Sequence, residues 1–69
     1  MIHAGVTYHI CIGWTSADPK ERKYTPFIVD TRDGEIAVMM DSEPEHEVAK
    51  SKAMAMVNDA GGLIGTIFE

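Results

Sequence analysis

The sequence predicts an α+β domain of order β-β-β-α-β: an antiparallel three-stranded meander plus a fourth strand returned by one helix, with the helix packed on one sheet face. Three observations predict it. Residues Val6 to Trp14 alternate between large apolar side chains and polar or small ones, as in a half-buried strand. Asp33-Gly34 lies between two apolar runs, which is a hairpin signal. An apolar stripe at helical spacing follows and stops at Gly61-Gly62.

The size of the chain limits its organisation and its stability. Sixty-nine residues allow one domain, residues 1–69. A domain of this size buries only about 60% of the surface that its unfolded chain exposes. Cys11 is the single cysteine, so no internal disulfide can add stability. We therefore expect a contribution from oligomerisation, as in a homodimer, or from a tightly bound partner.

The charge balance argues against several classes of partner. Eleven acidic residues against six basic ones give a net charge of -5, which disfavours binding to nucleic acid or to anionic membranes. The same charge suits a protein target with a basic surface. No apolar stretch approaches the ~18 residues of a membrane span, and the first residues lack the features of a signal peptide. A lone cysteine fits a reducing compartment, so we expect a cytoplasmic protein. No metal or phosphate-binding motif is present, so no cofactor is expected.

Three strands are predicted before the helix. In the first, Val6–Trp14, one face carries Val6, Tyr8, Ile10, Ile12 and Trp14, and the other carries Thr7, His9, Cys11 and Gly13. Residues 15–23 form a long, polar, exposed connection. The second strand is Tyr24–Asp30, with Pro26 near its start or at a sheet edge. The third is Glu35–Met40, with Ile36, Val38 and Met40 expected on one face.

The helix carries the clearest local signal. Ser42 and Glu45 have the spacing of a capping box, and Pro44 would fall in the first turn. A buried stripe is expected at Ala49, Ala53, Met56, Val57 and Ala60, and Gly61 would end the helix in a left-handed conformation. Leu63–Phe68 is the last strand, expected beside the first strand and parallel to it.

Two groups of side chains are candidates for a metal or catalytic site. His9 and Cys11 share a strand face, but zinc needs three or four ligands, and a nucleophilic pair needs a third, orienting group. We therefore expect a structural role for both, and no catalytic or metal-binding residue. Asp30 and Asp33 flank the hairpin, where turn chemistry is a sufficient explanation.

Two surfaces are candidates for partner binding. The first is the acidic segment 41–47, with Asp41, Glu43, Glu45 and Glu47, together with Met54, expected to be exposed on the helix. Carboxylates at a helix start also stabilise the helix dipole by ~0.3–1 kcal/mol each, which explains their spacing without any partner. The second surface is the 15–23 connection with Trp14 and Arg22, because tryptophan and arginine are common at binding hot spots. For Trp14 itself, core packing is the favoured role, and a binding contact is the alternative.

These features favour a binding protein over an enzyme. Short, acidic, cysteine-poor domains without a catalytic constellation are typical of phage and mobile-element proteins that block host defences, including anti-CRISPR proteins. A small inhibitor or regulator acting by protein–protein contact is therefore the first hypothesis. The alternatives are an antitoxin-like or structural subunit of an obligate oligomer, and a small enzyme. The element order resembles that of HicB-type antitoxin domains, although their Pro-Gly-Cys turn is absent, and no family is assigned.

Overall fold

The computed structural model describes all residues from Met1 to Glu69 and confirms the predicted α+β class and strand order. Its elements are β1 (Thr7–Trp14), β2 (Tyr24–Asp30), β3 (Ile36–Met39), α1 (His46–Asp59) and β4 (Leu63–Phe68). The sheet has the order β3-β2-β1-β4. β2 is antiparallel to both β1 and β3, whereas β4 is parallel to β1. The helix is the crossover that parallel pairing requires.

One face of the sheet packs against α1 and forms the core. Tyr8, Ile10 and Ile28 are fully buried beneath the helix. The helix contributes a buried stripe of small residues, Ala49, Ala53 and Val57, which allows its backbone to lie close to the sheet. The predicted stripe contained two further residues that are not buried. Met56 is only half-buried, and Ala60 is exposed at the helix end.

The predicted capping box is wrong. The helix begins at His46 with Glu45 as its N-cap residue, and no side chain bonds the free N–H groups of the first turn. The Ser42 hydroxyl instead bonds the Thr25 hydroxyl at 2.6 Å. The reason lies in the backbone, because Glu43 and Tyr24 exchange two hydrogen bonds of 2.8 Å that keep the chain extended past Ser42. Pro44 therefore precedes the helix rather than entering its first turn.

The predicted helix C-terminus is confirmed. Gly61 has a φ of 80°, which is in the left-handed region. Its N–H bonds the Asn58 carbonyl at 3.0 Å, and the Gly62 N–H bonds the Val57 carbonyl at 2.9 Å. These two bonds form a Schellman motif, which satisfies the last carbonyls of the helix and turns the chain back into β4.

A bulge in β3 overturns the predicted side-chain pattern of that strand. Val38 pairs with Ile28 and Ile36 pairs with Val29, so the intervening Ala37 has no partner on β2. The extra residue places Ile36 and Val38 on opposite faces, because each residue of a strand reverses the side-chain direction. Ile36 is therefore 58% exposed instead of buried.

The second face of the sheet is open and largely apolar. Register places Met39, Phe27, Cys11 and Phe68 side by side in one row that crosses all four strands. A second row contains Ile36, Val29 and His9. No element covers these side chains, and Met39, Ile36, Leu63 and Phe68 are each more than half exposed. The fold has one helix, and that helix is too short and too polar to cross a bilayer.

Candidate functional site

Trp14 is exposed and held in a fixed orientation at the end of β1. Its side chain is 58% exposed, so the core-packing role is wrong for this residue. The Arg22 guanidinium stacks on the indole at 4.3 Å from the ring centroid. The same guanidinium donates to the carbonyls of Ser16 at 2.8 Å and of Ala17 at 3.1 Å. One arginine therefore closes the connection after β1 and supports the tryptophan from one side.

The connection between β1 and β2 has internal order. The Thr15 N–H bonds the Lys23 carbonyl at 3.2 Å, which continues the β1–β2 ladder beyond the strands. Asp18 accepts the Lys20 N–H at 3.0 Å and receives support from Ser16, whose hydroxyl accepts the Asp18 N–H at 3.1 Å. The segment is largely exposed, as expected, but Arg22 and Ser16 are half-buried.

Tyr24 joins the two candidate surfaces, a link that sequence reasoning missed. It pairs with Trp14 across the β1–β2 ladder and with Glu43 on its other side. Its ring also meets the His46 ring edge-on at 5.3 Å. Two strand spacings, about 10 Å, thus separate the backbones of Trp14 and Glu43. The two surfaces form one region, which we call the aromatic–acidic edge: Trp14, Arg22, Tyr24 and segment 41–47.

The carboxylates of segment 41–47 have different surroundings. Glu47 alone lies in the first turn of the helix. Glu43 is tied to the Lys52 ammonium at 3.0 Å and is only 19% exposed at its side chain. Asp41 and Glu45 are exposed, precede the helix and take part in no ion pair. The helix dipole therefore explains Glu47 but not Asp41, and these free carboxylates suit a cationic partner.

Met54 does not belong to the candidate site. The structure contradicts its predicted exposure, because Met54 is half-buried and packs against the core. A shallow groove of about 500 Å³ lies nearby, lined by Met40, Lys52, Ala55, Met56, Asp59 and Ala60. Its apolar lining comes from the edge of the core, and the groove is open to solvent on most of its perimeter.

His9 and Cys11 lie on the open face as predicted, and His9 has a structural partner. Its Nδ1 accepts the Thr66 backbone N–H at 3.0 Å, and its ring meets Phe68 edge-on at 5.6 Å between centroids. Thr66 belongs to a bulge in β4, where the register between β1 and β4 shifts. The nitrogen nearest the strand is thus already engaged, as the expected structural role requires.

A second group of potential ligands was not expected from the sequence. His46, Glu47 and Glu69 each place one ligand atom within 4.8 Å of the others. The Lys50 ammonium, however, lies 2.9 Å from Glu69 Oε1, and this ion pair lowers the pKa of Glu69. A cation would have to displace the ammonium, so the Lys50–Glu69 ion pair, which joins α1 to the end of β4, already occupies this position.

The hairpin carboxylates perform turn chemistry, as predicted. Asp30 is buried and accepts both the Arg32 guanidinium at 2.8 Å and the Arg32 backbone N–H at 2.8 Å. These hydrogen bonds with Arg32 lower the pKa of Asp30 below its ordinary value. Asp33 accepts the Glu35 N–H at 2.9 Å, and Gly34 adopts a φ of 74°. The turn needs no ion to hold its carboxylates together.

The aromatic–acidic edge therefore offers an exposed tryptophan stacked on an arginine, together with free carboxylates, at one end of the sheet. This arrangement can bind a surface by contact and by charge. Comparisons with protein families, with curated proteins and with solved structures found no match to this chain.

Proposed function

We propose that this domain is a small cytoplasmic binding protein that inhibits or regulates another protein by contact through its aromatic–acidic edge. One observation carries the proposal: Trp14 is more than half exposed yet is held by Arg22, which is itself fixed by two backbone carbonyls. A tryptophan with no role at the surface would not need a stacked arginine to hold it.

The physical argument for binding is preorganisation. A side chain that is ordered before association loses little conformational entropy when it is buried by a partner. Tryptophan, tyrosine and arginine also dominate binding hot spots, and Trp14, Tyr24 and Arg22 lie together here. The edge thus has the composition and the rigidity of a contact surface.

The charge of the edge indicates the class of target. Asp41 and Glu45 project from a chain of net charge -5 without partner cations. A basic target surface, such as the nucleic-acid groove of a host enzyme, would be attracted to these carboxylates and occluded by the domain. A phage or mobile-element protein of the anti-defence kind, in the manner of anti-CRISPR proteins, fits this mode of action. The domain in this proposal is not an enzyme and binds no nucleic acid directly.

The experiment has two stages. The tagged protein first captures its target from a host lysate, and the purified target is then titrated with variants. Trp14→Ala should weaken affinity mainly through faster dissociation, because it removes buried contact area. D41K/E45K should slow association and reduce its dependence on salt. E35K/D59K makes the same charge change away from the edge, in the hairpin at the opposite end of β2 and at the end of α1, and serves as the control.

The second candidate function, an antitoxin-like or structural subunit of an obligate oligomer, rests on the open sheet face rather than on the edge. If D41K/E45K and Trp14→Ala bind the target like the wild type while changes on the open face abolish binding, the edge is not the contact surface.

A further inference from the structure

The open sheet face has the features of a surface that is buried in the assembled protein. Its strands direct the following residues outward: Thr7, His9, Cys11, Gly13, Thr25, Phe27, Val29, Ile36, Met39, Leu63 and Phe68. None of them carries a carboxylate, an ammonium or a guanidinium group. We propose that a second copy of this chain covers this face, so that the two sheets stack across a twofold axis and the two helices lie outside.

Charge favours a second copy as the occupant. The chain carries eleven acidic residues and a net charge of -5. Face-to-face stacking keeps the acidic helix layers apart, on the far sides of the two sheets, and buries only uncharged surface. A basic partner would find no carboxylate on this face, whereas a second copy presents the same apolar rows, and twofold symmetry pairs a patch with itself.

The sheet edges are protected, which favours contact through the face. β4 contains a bulge, and the displaced Thr66 N–H is bonded by His9. β3 has only four residues, and the Met1 amine donates to the carbonyl of its bulged residue Ala37 at 3.3 Å. Bulges and short edge strands are devices by which proteins block edge-to-edge pairing. The open face has no such device.

An interface of standard size would cover a modest share of this chain. A standard interface buries about 800 Å² on each partner, which would be about a fifth of the 4338 Å² surface of this chain. Only ten of 69 residues are buried in the single chain. Stacking would bury the second face of each sheet as well, with the two sheets about 10 Å apart.

Sedimentation equilibrium tests the proposal. The wild type should have twice its chain mass of 7.6 kDa, and M39E/F68E, with a charge at each end of the outward row, should be monomeric. Val48→Glu makes one such apolar-to-acidic change on the exposed side of α1 and should stay dimeric. A monomeric wild type at micromolar to millimolar concentration, or a dimer that persists in folded M39E/F68E, would overturn the proposal.

A measurement on the wild type covers the case in which M39E/F68E does not fold. Cys11 lies in the middle of the outward row, so stacking should shield its thiol from a water-soluble disulfide reagent. Diluting the protein should then accelerate the reaction several-fold as the dimer dissociates. A thiol reaction rate that does not depend on protein concentration would contradict a second copy on this face. Neither experiment depends on the aromatic–acidic edge, so failure of one proposal is distinguishable from failure of the other.

Discussion

The imidazole of His9 completes the pairing of a strand next to its own. Its Nδ1 accepts the Thr66 N–H at 3.0 Å, at the point where the bulge places both Gly65 and Thr66 opposite one residue of β1. A side chain added at Gly65 would meet the His9 ring at 3.0 Å and the Thr7 methyl group at 3.1 Å. The bulge, the glycine and the histidine therefore form one interdependent unit.

Gly65→Ala should lower the free energy of unfolding by about 1 kcal/mol, the lower end of the cost of forcing an extra methyl group into a packed site. In a His9→Ala background, most of the crowding is relieved, so the added methyl group should cost less. Urea denaturation of the two single variants and the double variant measures this coupling. Additive effects of the two substitutions would show that His9 does not determine the need for glycine.

The N-terminus of α1 can be improved. Glu45 has the extended conformation of an N-cap residue, with φ −117° and ψ 132°, but its side chain makes no capping bond. Glu45→Asp should stabilise the protein by about 0.5–1 kcal/mol, because the shorter carboxylate can reach the first-turn N–H groups. Ser42→Ala should change stability by less than ~0.5 kcal/mol, since that hydroxyl bonds only Thr25 at an exposed site. A larger loss in Ser42→Ala than gain in Glu45→Asp would restore the predicted capping box.

Acid should weaken the hairpin. The pKa of Asp30 is lowered from an ordinary 3.8 in the folded protein, mainly by its hydrogen bonds with Arg32. The folded state therefore binds this proton less readily than the unfolded chain does. The resulting stability is complete above pH ~4 and is lost as the pH falls through the lowered value. Arg32→Leu should flatten this part of the pH profile, measured from urea midpoints between pH 2 and 6.

Lys50→Gln provides a comparison for the hairpin experiment. The pKa of Glu69 is lowered from an ordinary 4.5 by its hydrogen bond and ion pair with Lys50, so the contribution of this pair is complete above pH ~4.5 and is lost as the pH falls through the lowered value. If the urea midpoints of both Arg32→Leu and Lys50→Gln varied with pH as the wild-type midpoint does, neither carboxylate would be linked to folding.

Arg22 should control the environment of Trp14. Removing the guanidinium in Arg22→Ala exposes one face of the only tryptophan, so its emission should shift to longer wavelength and become easier to quench with iodide. Arg22→Lys keeps the charge but cannot stack or donate to two carbonyls in the same way, and should behave like Arg22→Ala. An emission spectrum unchanged in both variants would mean that the stack does not persist in solution.

Most of the fold was predictable because the features that determine each element lie within a short segment of the chain. The alternation in β1 and the small residues Ala49, Ala53 and Val57 correctly identified the face that each element buries. The stop at Gly61 was also predictable, since a left-handed residue is tolerated best by glycine. These features depend on a residue and its near neighbours along the chain.

The errors arise where distant segments meet. The chain pairs Glu43 with Tyr24, which pulls Ser42 away from the helix, and no local pattern contains that pairing. The Ala37 bulge likewise depends on how β3 meets β2. For the candidate site, Trp14, Arg22, Asp41 and Glu45 were identified as separate features. That Tyr24 brings these residues together could not be predicted, because it depends on the register of β1 and β2, which alternation alone does not determine.

The parallel pairing of β4 with β1 has a consequence for the nascent chain. β1 contains two fully buried residues, Tyr8 and Ile10, yet one of its edges stays unpaired until Ile64 and Ile67 of β4 have been synthesised. During synthesis, β1 to β3 can pair as a meander while that edge stays unpaired, and such an edge is where partly folded chains aggregate. Closing the large β1–β4 loop is also entropically slow. Substitutions in β4 should therefore reduce the soluble yield in cells more than their effect on equilibrium stability suggests.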